Sequence, residues 1–422
     1  MATATLAADQ ISYEDLYARW EKGNWSATEI DFSRDHGDWH DRLEEVQRKA
    51  AMWNYSLFFH GEDSVAANLS PYIDAAPREE QKYFLTTQQV DEARHAVFFA
   101  RFMRDVANTG GETVAETLER TRPELTWGFK KTFERLDRMA DELRADRSKP
   151  KLAAAVTLYH IIIEAALAQP GQHFIENFWQ GNGLMPGFQE GMENVARDEQ
   201  RHIGFGVKLL ADLVREDPEC RYAVADLLRE VIPWTTAVLV PPPGGEGYAE
   251  SLGFTLEEIY TFGAQSMESK LAAAGLPLEE LPGRPPLPYN LTPEQRADRG
   301  LLFLRSGVVG EKLGPTSSDP AVQAELFDAL RMSVVHQKVA VEPTTVQWDF
   351  SDAAPWFLRV DNGSTSVEQG RLEQPDVVIH SSFEDWADVA VGREDARLAI
   401  AKRKLRPKGS PRALWRMTKL LA

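Results

Sequence analysis

Apolar positions recur near a period of 3.6 through most of the first 275 residues, which predicts a run of long amphipathic helices. From Asp38 to about Ser70 the stripe is carried by Met52, Trp53, Leu57, Phe58 and Val65, and Pro71 is expected to end it. A second helix is predicted over 78–107, broken by Gly110-Gly111, and a third pattern covers 112–146. Lys151 to about Gln180 reads as a fourth, with a kink expected at Pro170-Gly171. After the turn signals Gly181-Asn182-Gly183 and Pro186, Phe188 to Val214 reads as a fifth. Segments 220–240 and 255–275 are expected to pack on this bundle, and residues 11–37, rich in Trp, Tyr and acidic groups, to wrap it as an arm with short helices.

The pattern then changes. Leu276 to Pro293 holds six prolines and sustains no period, so it reads as a linker. Beyond it the spacing drops to two in Val346-Gln347-Trp348-Asp349-Phe350. A second strand, Trp356 to Val360, runs into the turn signal Asp361-Asn362-Gly363. Val377-Val378-Ile379 extends the sheet, and helical spacing returns over Phe383 to Val391 and Glu394 to Ala401. The expected fold class is therefore mainly α: a helical bundle over residues 1–280, a Pro-rich linker and connecting helix over 281–316, and a small α+β domain over 317–422.

Composition narrows the function. A chain of 422 residues with 43% hydrophobic and 27% charged residues is that of a soluble two-domain protein. Its net charge of -18 argues against a nucleic-acid partner, and its most basic stretch lies near the C-terminus. Cys220 is the sole cysteine, which excludes an intramolecular disulfide and a thiolate cluster, so any metal must use oxygen and nitrogen ligands. The N-terminus lacks a basic n-region, and the most apolar helix, around Ala153 to Ala168, is interrupted by His160 and Glu164. A cytoplasmic, non-spanning protein is expected.

Candidate chemistry lies in a repeat. Asp91-Glu92-Ala93-Arg94-His95 returns as Asp198-Glu199-Gln200-Arg201-His202, each a Glu-x-x-His inside a long helix. Residues three apart share a helix face, so Glu92 with His95 and Glu199 with His202 can each reach one point. One such motif reads best as a solvated surface pair; two read as the half-sites of a four-helix carboxylate bundle, which needs one further Glu from each of two other helices. Glu164 stands in the apolar run Ile161-Ile162-Ile163-Glu164-Ala165-Ala166, where a charge needs a partner. Glu62 qualifies by its place in the order Glu, Glu-x-x-His, Glu, Glu-x-x-His. The candidate metal ligands are Glu62, Glu92, His95, Glu164, Glu199 and His202, a set suited to two iron or manganese ions. Asp91 and Asp198 are placed to accept the second ring N–H of a ligand histidine. His60, His160 and His173 are read as structural.

With these residues, roughly 11–280 resemble the ribonucleotide reductase small-subunit superfamily, most closely its ligand-binding oxidases with a mixed manganese/iron site. Glu62 in the first ligand position, Val65 three residues on and Tyr159 five residues before Glu164 point to that branch. The resemblance implies a ferritin-like bundle, a Mn/Fe or Fe/Fe site, O2 as co-substrate, a homodimer, and an ether cross-link between Val65 and Tyr159. On a regular helix Tyr159 would stand about 140° from Glu164, a mismatch that a π-bulge relieves. Radical-generating small subunits place a tyrosine four residues after the first motif histidine, where this chain has Phe99. Residues 317–422 are similar to sterol-carrier-protein-2-type lipid-binding domains. The match covers the two strands, Pro375 to Ile379, the helix start from Ser381 to Trp386, Lys404 to Ser410, and an apolar helix from Ala413 to Leu421.

The resulting expectation is an oxidoreductase that uses O2 to oxidise a C–H bond of an apolar, fatty-acyl ligand, with electrons from a separate donor. Two other readings stay open: a radical subunit or di-iron oxygenase acting on a small molecule, and a lipid carrier whose bundle stores metal.

Overall fold

The computed structural model of the chain describes residues 8–245, 247–282, 291–334, 342–361 and 363–421. It separates into two compact units, Met1–Val224 with Val238–Pro277, and Ala225–Ala237 with Leu278–Ala422. The helix expected over 220–240 therefore does not belong wholly to the bundle: it runs Glu219–Thr235, and its C-terminal part groups with the second unit. The prolines at 285, 286 and 288 lie outside the described residues, as does Asn362 of the anticipated turn.

The first unit is built on helices α1 (Tyr13–Lys22), α2 (Glu45–Asn68), α3 (Glu79–Asp105), α4 (Trp127–Ala145), α5 (Lys149–Asn182), α6 (Pro186–Glu216) and α7 (Leu256–Ala273). Helix α2 starts later than its apolar pattern suggested, because Glu44 and Gln47 form a capping box. The preceding residues, Asp35–Arg42, make a short α-turn and a π-turn. They serve a different end: Asp35 accepts from the backbone N–H groups of Gly187 (2.9 Å) and Phe188 (2.6 Å), and Asp38 from that of Met185 (2.9 Å). The first turn of α6, opened by Pro186, thus finds acceptors for its orphan N–H groups in a distant segment. Helix α2 ends at Asn68, close to the expected Ser70, and Pro71 sits in the first turn of a further short helix, Ser70–Ala75, where a missing N–H costs nothing. The 112–146 pattern resolves into Val114–Thr121, a 3-10 turn and α4.

Helix α5 is long and apolar enough to cross a membrane, yet 78% of its most apolar window is buried in the structure, as in a core helix. Its departure from α geometry is a π segment, Thr157–Ala168, upstream of Pro170-Gly171. Helix α6 packs close to its neighbours through glycine. A Cβ at Gly206 would meet His160 Cβ of α5 at 2.2 Å, and one at Gly191 would meet the Phe98 ring of α3 at 2.0 Å. Around these contacts Tyr55, Phe59, Phe98, Phe99, Phe102 and Phe188 fill the interior at one end of the bundle, all of them 0% exposed. Phe99 has no polar function there; it packs against Phe58, Tyr55 and Phe188.

The second unit carries a five-stranded sheet of β1 (Thr344–Phe350), β2 (Trp356–Asp361), β3 (Ser364–Gln369), β4 (Val377–Ser381) and β5 (Arg406–Gly409), in the order β3-β2-β1-β4-β5. The β1–β4 pair is parallel and the others antiparallel. Strands β3 and β5 escape pattern reading because they are polar edge strands, where one exposed face removes the alternation. Phe327 of helix Pro320–Ser333 stacks on Trp356 and Trp386 in the core under the sheet.

The glycine contacts predict opposite responses two residues apart on α6. Gly206→Ala should lower the stability of the first unit by about 1–3 kcal/mol through overpacking, measured by denaturant unfolding. Gly204→Ala, whose Cβ would meet only Leu16 at 3.8 Å, should leave it unchanged or raise it by up to about 1 kcal/mol.

Candidate metal centre

All six predicted ligand side chains converge. Glu62 comes from α2, Glu92 and His95 from α3, Glu164 from the π segment of α5, and Glu199 and His202 from α6; each is 6% exposed or less. They form two overlapping groups, Glu62-Glu92-His95-Glu199 and Glu92-Glu164-Glu199-His202, each with its donor atoms within 4.8 Å of one another. His95 Nδ1 lies 3.2 Å from Glu62 Oε2, 3.5 Å from Glu199 Oε1 and 3.7 Å from Glu92 Oε2. His202 Nδ1 lies 3.2 Å from Glu92 Oε1, 3.5 Å from Glu164 Oε1 and 3.7 Å from Glu199 Oε2. Glu92 and Glu199 therefore turn one oxygen to each histidine, while Glu62 and Glu164 serve one histidine apiece. That is the geometry of two ion positions with two shared carboxylates.

The acidic residues flanking the motifs act across the pair. His95 Nε2 is 3.1 Å from Asp198, and His202 Nε2 is 3.1 Å from Asp91, so each aspartate serves the histidine of the other motif. An ionised carboxylate can only accept, so Nε2 of each ring carries a hydrogen, and Nδ1, on the cluster side, would offer its lone pair to a cation once its own proton is displaced. Arg201 bridges both aspartates, at 3.0 Å to Asp91 and 2.7 Å to Asp198. Arg94 does the same, bonding Asp91 and, at 2.9 Å, Asp198. The repeated Arg was visible in the two motifs, but its partners were not. Two arm residues complete the ring: Trp20 Nε1 donates to Asp91 (2.9 Å) and Trp25 Nε1 to Asp198 (2.8 Å). Nothing in the sequence announces these bonds: Trp20 lies in α1 and Trp25 in the irregular segment after it, and a lone tryptophan names no acceptor.

Tyr159 also lies at the cluster. The Gln169 N–H bonds to Glu164 O, an i→i+5 bond, and this π winding brings Tyr159 and Glu164 to the same side of α5. The Tyr159 hydroxyl donates to Glu92 Oε1 and accepts from Gln88 Nε2 (2.8 Å), which also reaches Glu164 Oε1 (2.9 Å). Gln88, one turn before Glu92, was missed for want of any motif. His160 faces Gln88 Oε1 at 3.2 Å, and burial pushes its pKa down to about 3, so it is a neutral structural group. His60 and His173 bond Thr121 and Asn177 and stand outside the cluster. Glu62, Val65, Glu92, Tyr159, Glu164 and Glu199 all border one pocket whose remaining wall is mostly apolar.

The donor set fits cations. Burial raises the carboxyls of Glu62 and Glu199 above their ordinary range and pushes Glu164 up to about 8, with neighbouring carboxylates adding to the rise. Burial also opposes ionisation of Glu92, but attraction to His202 overcomes it and holds that group well below. Glu164 Oε2 and Glu199 Oε2 are buried without a hydrogen-bond partner. Orphaned acceptors of this kind are costly unless a cation takes them up.

The fold and the site together define a ferritin-like bundle with a dinuclear carboxylate-histidine centre. The ribonucleotide reductase small-chain profile matches residues 8–237, and the chain belongs to that family. A profile of the SCP-2 sterol transfer family matches residues 331–422. Among solved structures, an R2-like ligand-binding oxidase in a glycine-to-phenylalanine variant with an anaerobically reconstituted Mn/Fe cofactor is 24% identical. Its TM-score is 0.52 over 63% of this chain and 94% of that one. The R2-like ligand-binding oxidase of Sulfolobus acidocaldarius is also 24% identical, with a TM-score of 0.51 over 67% and 93%. An R2-like ligand-binding oxidase in a tyrosine-to-phenylalanine variant with an anaerobically reconstituted Mn/Fe cofactor is 25% identical, with a TM-score of 0.50 over 63% of this chain and 92% of that one.

The raised carboxyls predict how the metal-free protein responds to pH. Glu62, Glu164 and Glu199 hold protons in the folded state that they release when unfolded, and His95 and His202, raised by the carboxylates around them against the effect of burial, do likewise. Their contribution is full below the unfolded values and is lost as pH rises through the folded ones. The thermal midpoint of metal-free protein should therefore fall between about pH 5 and about pH 8, followed by calorimetry.

Proposed function

We propose that this protein is an O2-activating dinuclear oxidase, with a Mn/Fe or Fe/Fe pair, that oxidises a C–H bond in an apolar, fatty-acyl ligand. The observation that carries the reading is the pair of overlapping Glu/His groups opening onto an apolar pocket. Glu62, Glu92 and His95 would hold one ion and Glu164, Glu199 and His202 the other, with Glu92 and Glu199 shared. Such a pair supplies reduction of dioxygen and removal of hydrogen from carbon. The protein's own part is to fix the histidine tautomers through Asp91 and Asp198, keep water away with the apolar wall, and lay the ligand chain against the cluster. An external reductant supplies electrons, and the protein acts as a homodimer. The second unit holds or delivers the lipid; its similarity to the SCP-2 family supports that role.

The relatives described as R2-like ligand-binding oxidases carry Mn/Fe cofactors, which supports the same metal pair here. Val65 and Tyr159 border the pocket beside Glu62, Glu92 and Glu164, which supports an ether bond between the Val65 tertiary carbon and the Tyr159 oxygen. Forming that bond removes one hydrogen from each partner, and dioxygen is the oxidant.

Three measurements test this function. Protein loaded anaerobically with manganese and iron and then exposed to air should yield Val65 and Tyr159 peptides joined with loss of two hydrogens; separate peptides in metal-replete protein would remove the cross-linking oxidase. Glu92→Ala and His202→Ala should each lose metal and oxygen consumption together, whereas retention of both by both variants would sink the ligand assignment. Because Glu164 must ionise to bind a cation, metal uptake near pH 7 should release protons, seen as buffer-dependent heats in titration calorimetry.

A further inference from the structure

Residues 396–422 carry nine lysines and arginines and no aspartate or glutamate, in a chain whose net charge is -18. Four of the nine are matched: Lys402 and Lys404 pair with Glu394, and Arg412 and Arg416 with Glu342. Arg397, Arg403, Arg406, Lys408 and Lys419 are exposed and meet no carboxylate at ion-pair distance among the described residues. Apolar surface gathers in the same stretch. The last helix, Pro411–Leu421, turns Ala413 and Leu420 into the core under the sheet, while Arg412, Trp415 and Lys419, at i, i+3 and i+7, form its outer face. Trp415 is 60% exposed, with Lys419 Nζ 5.9 Å from its ring centre. Helix Ala396–Ala401 buries Ala399 in the same core and leaves Leu398 and Ile400, 55% and 46% exposed, in solvent. One exposed apolar side chain needs no explanation. Three of the seven large ones exposed among the described residues fall here, interleaved with unmatched cations, and that combination marks a contact surface.

We propose that this surface docks the protein on a bilayer carrying anionic phospholipid, with Trp415 at the level of the headgroups and the cations against the lipid phosphates. A membrane boundary rewards this pairing of side chains: an indole buries its apolar body there and keeps its N–H wet, and lysines and arginines gain from the negative surface potential. A nucleic acid would use the cations and leave Trp415, Leu398 and Ile400 without an apolar partner. The acidic remainder of the chain is repelled by the same membrane, so charge alone orients the encounter toward this segment. The proposal stands on the charge and exposure of the second unit and needs no metal. Joined to the function proposed above, it brings the protein to the phase in which an apolar ligand dissolves.

The test is co-sedimentation of full-length protein with vesicles of phosphatidylcholine alone and of an equal mixture of phosphatidylcholine and phosphatidylglycerol. Partition onto the mixed vesicles should be at least about tenfold stronger at low salt, and that advantage should vanish in about 1 M salt, where charges are screened within a few ångström. Brominated acyl chains in the mixed vesicles should quench part of the tryptophan fluorescence. Trp415→Ala should lose that quenched part and bind about tenfold more weakly, and Lys419→Glu should weaken binding to the mixed vesicles alone. Both side chains lie on the outer face of their helix, so circular dichroism should show an unchanged fold. Equal partition onto the two kinds of vesicle, or binding and quenching that Trp415→Ala leaves intact, would overturn the proposal. Absence of binding to either kind would overturn it too, and would assign the surface to a protein partner with an acidic face.

Discussion

Four carboxylates share the interior of an apolar bundle, and the rest of the first unit is arranged around the cost of that choice. Charge of one sign cannot be gathered out of water without compensation. Three of the four glutamates respond by holding protons above their ordinary range, and buried oxygens of Glu164 and Glu199 are left without partners. Two cations between Glu92 and Glu199 would relieve both conditions at once. The site is thus better suited to metal than to its own protons.

Compensation extends one layer outward. Asp91, Asp198, Arg94 and Arg201 form a closed set of alternating charges behind the two histidines, each arginine bridging both aspartates. The crossing ties α3 to α6, so the two half-sites cannot shift independently without breaking buried ion pairs. Removing one partner of such a set costs far more than the intact set contributes, because the remaining charges stay buried. Trp20 and Trp25 bring the N-terminal arm into the same set and cover it. The arm is therefore part of the centre, although it contributes no ligand.

What could be read from the sequence follows from periodicity. Glu92 with His95 and Glu199 with His202 were legible because three-residue spacing on a helix has one geometric meaning, and Glu164 because an acid amid isoleucines demands a partner. The long helices were legible for the same reason, but their ends were not. Caps such as Glu44 with Gln47, and acceptors such as Asp35 for the start of α6, depend on contacts between distant segments. Tyr159 made sense only with a π segment, whose winding no hydrophobic pattern announces. Trp20, Trp25 and Gln88 carry no spacing signal at all. In the second unit the alternating strands β1 and β2 were legible, while the polar edge strands β3 and β5 were hidden by their exposure.

The central claim is that the six converging side chains hold two metal ions. The most direct measurement is anomalous diffraction at the manganese and iron edges from crystals of protein reconstituted with both metals. Two peaks per chain should appear within the cluster, with Glu92 and Glu199 between them. Well-ordered protein with no anomalous peak there, or with a single ion held by one Glu-x-x-His alone, would contradict it.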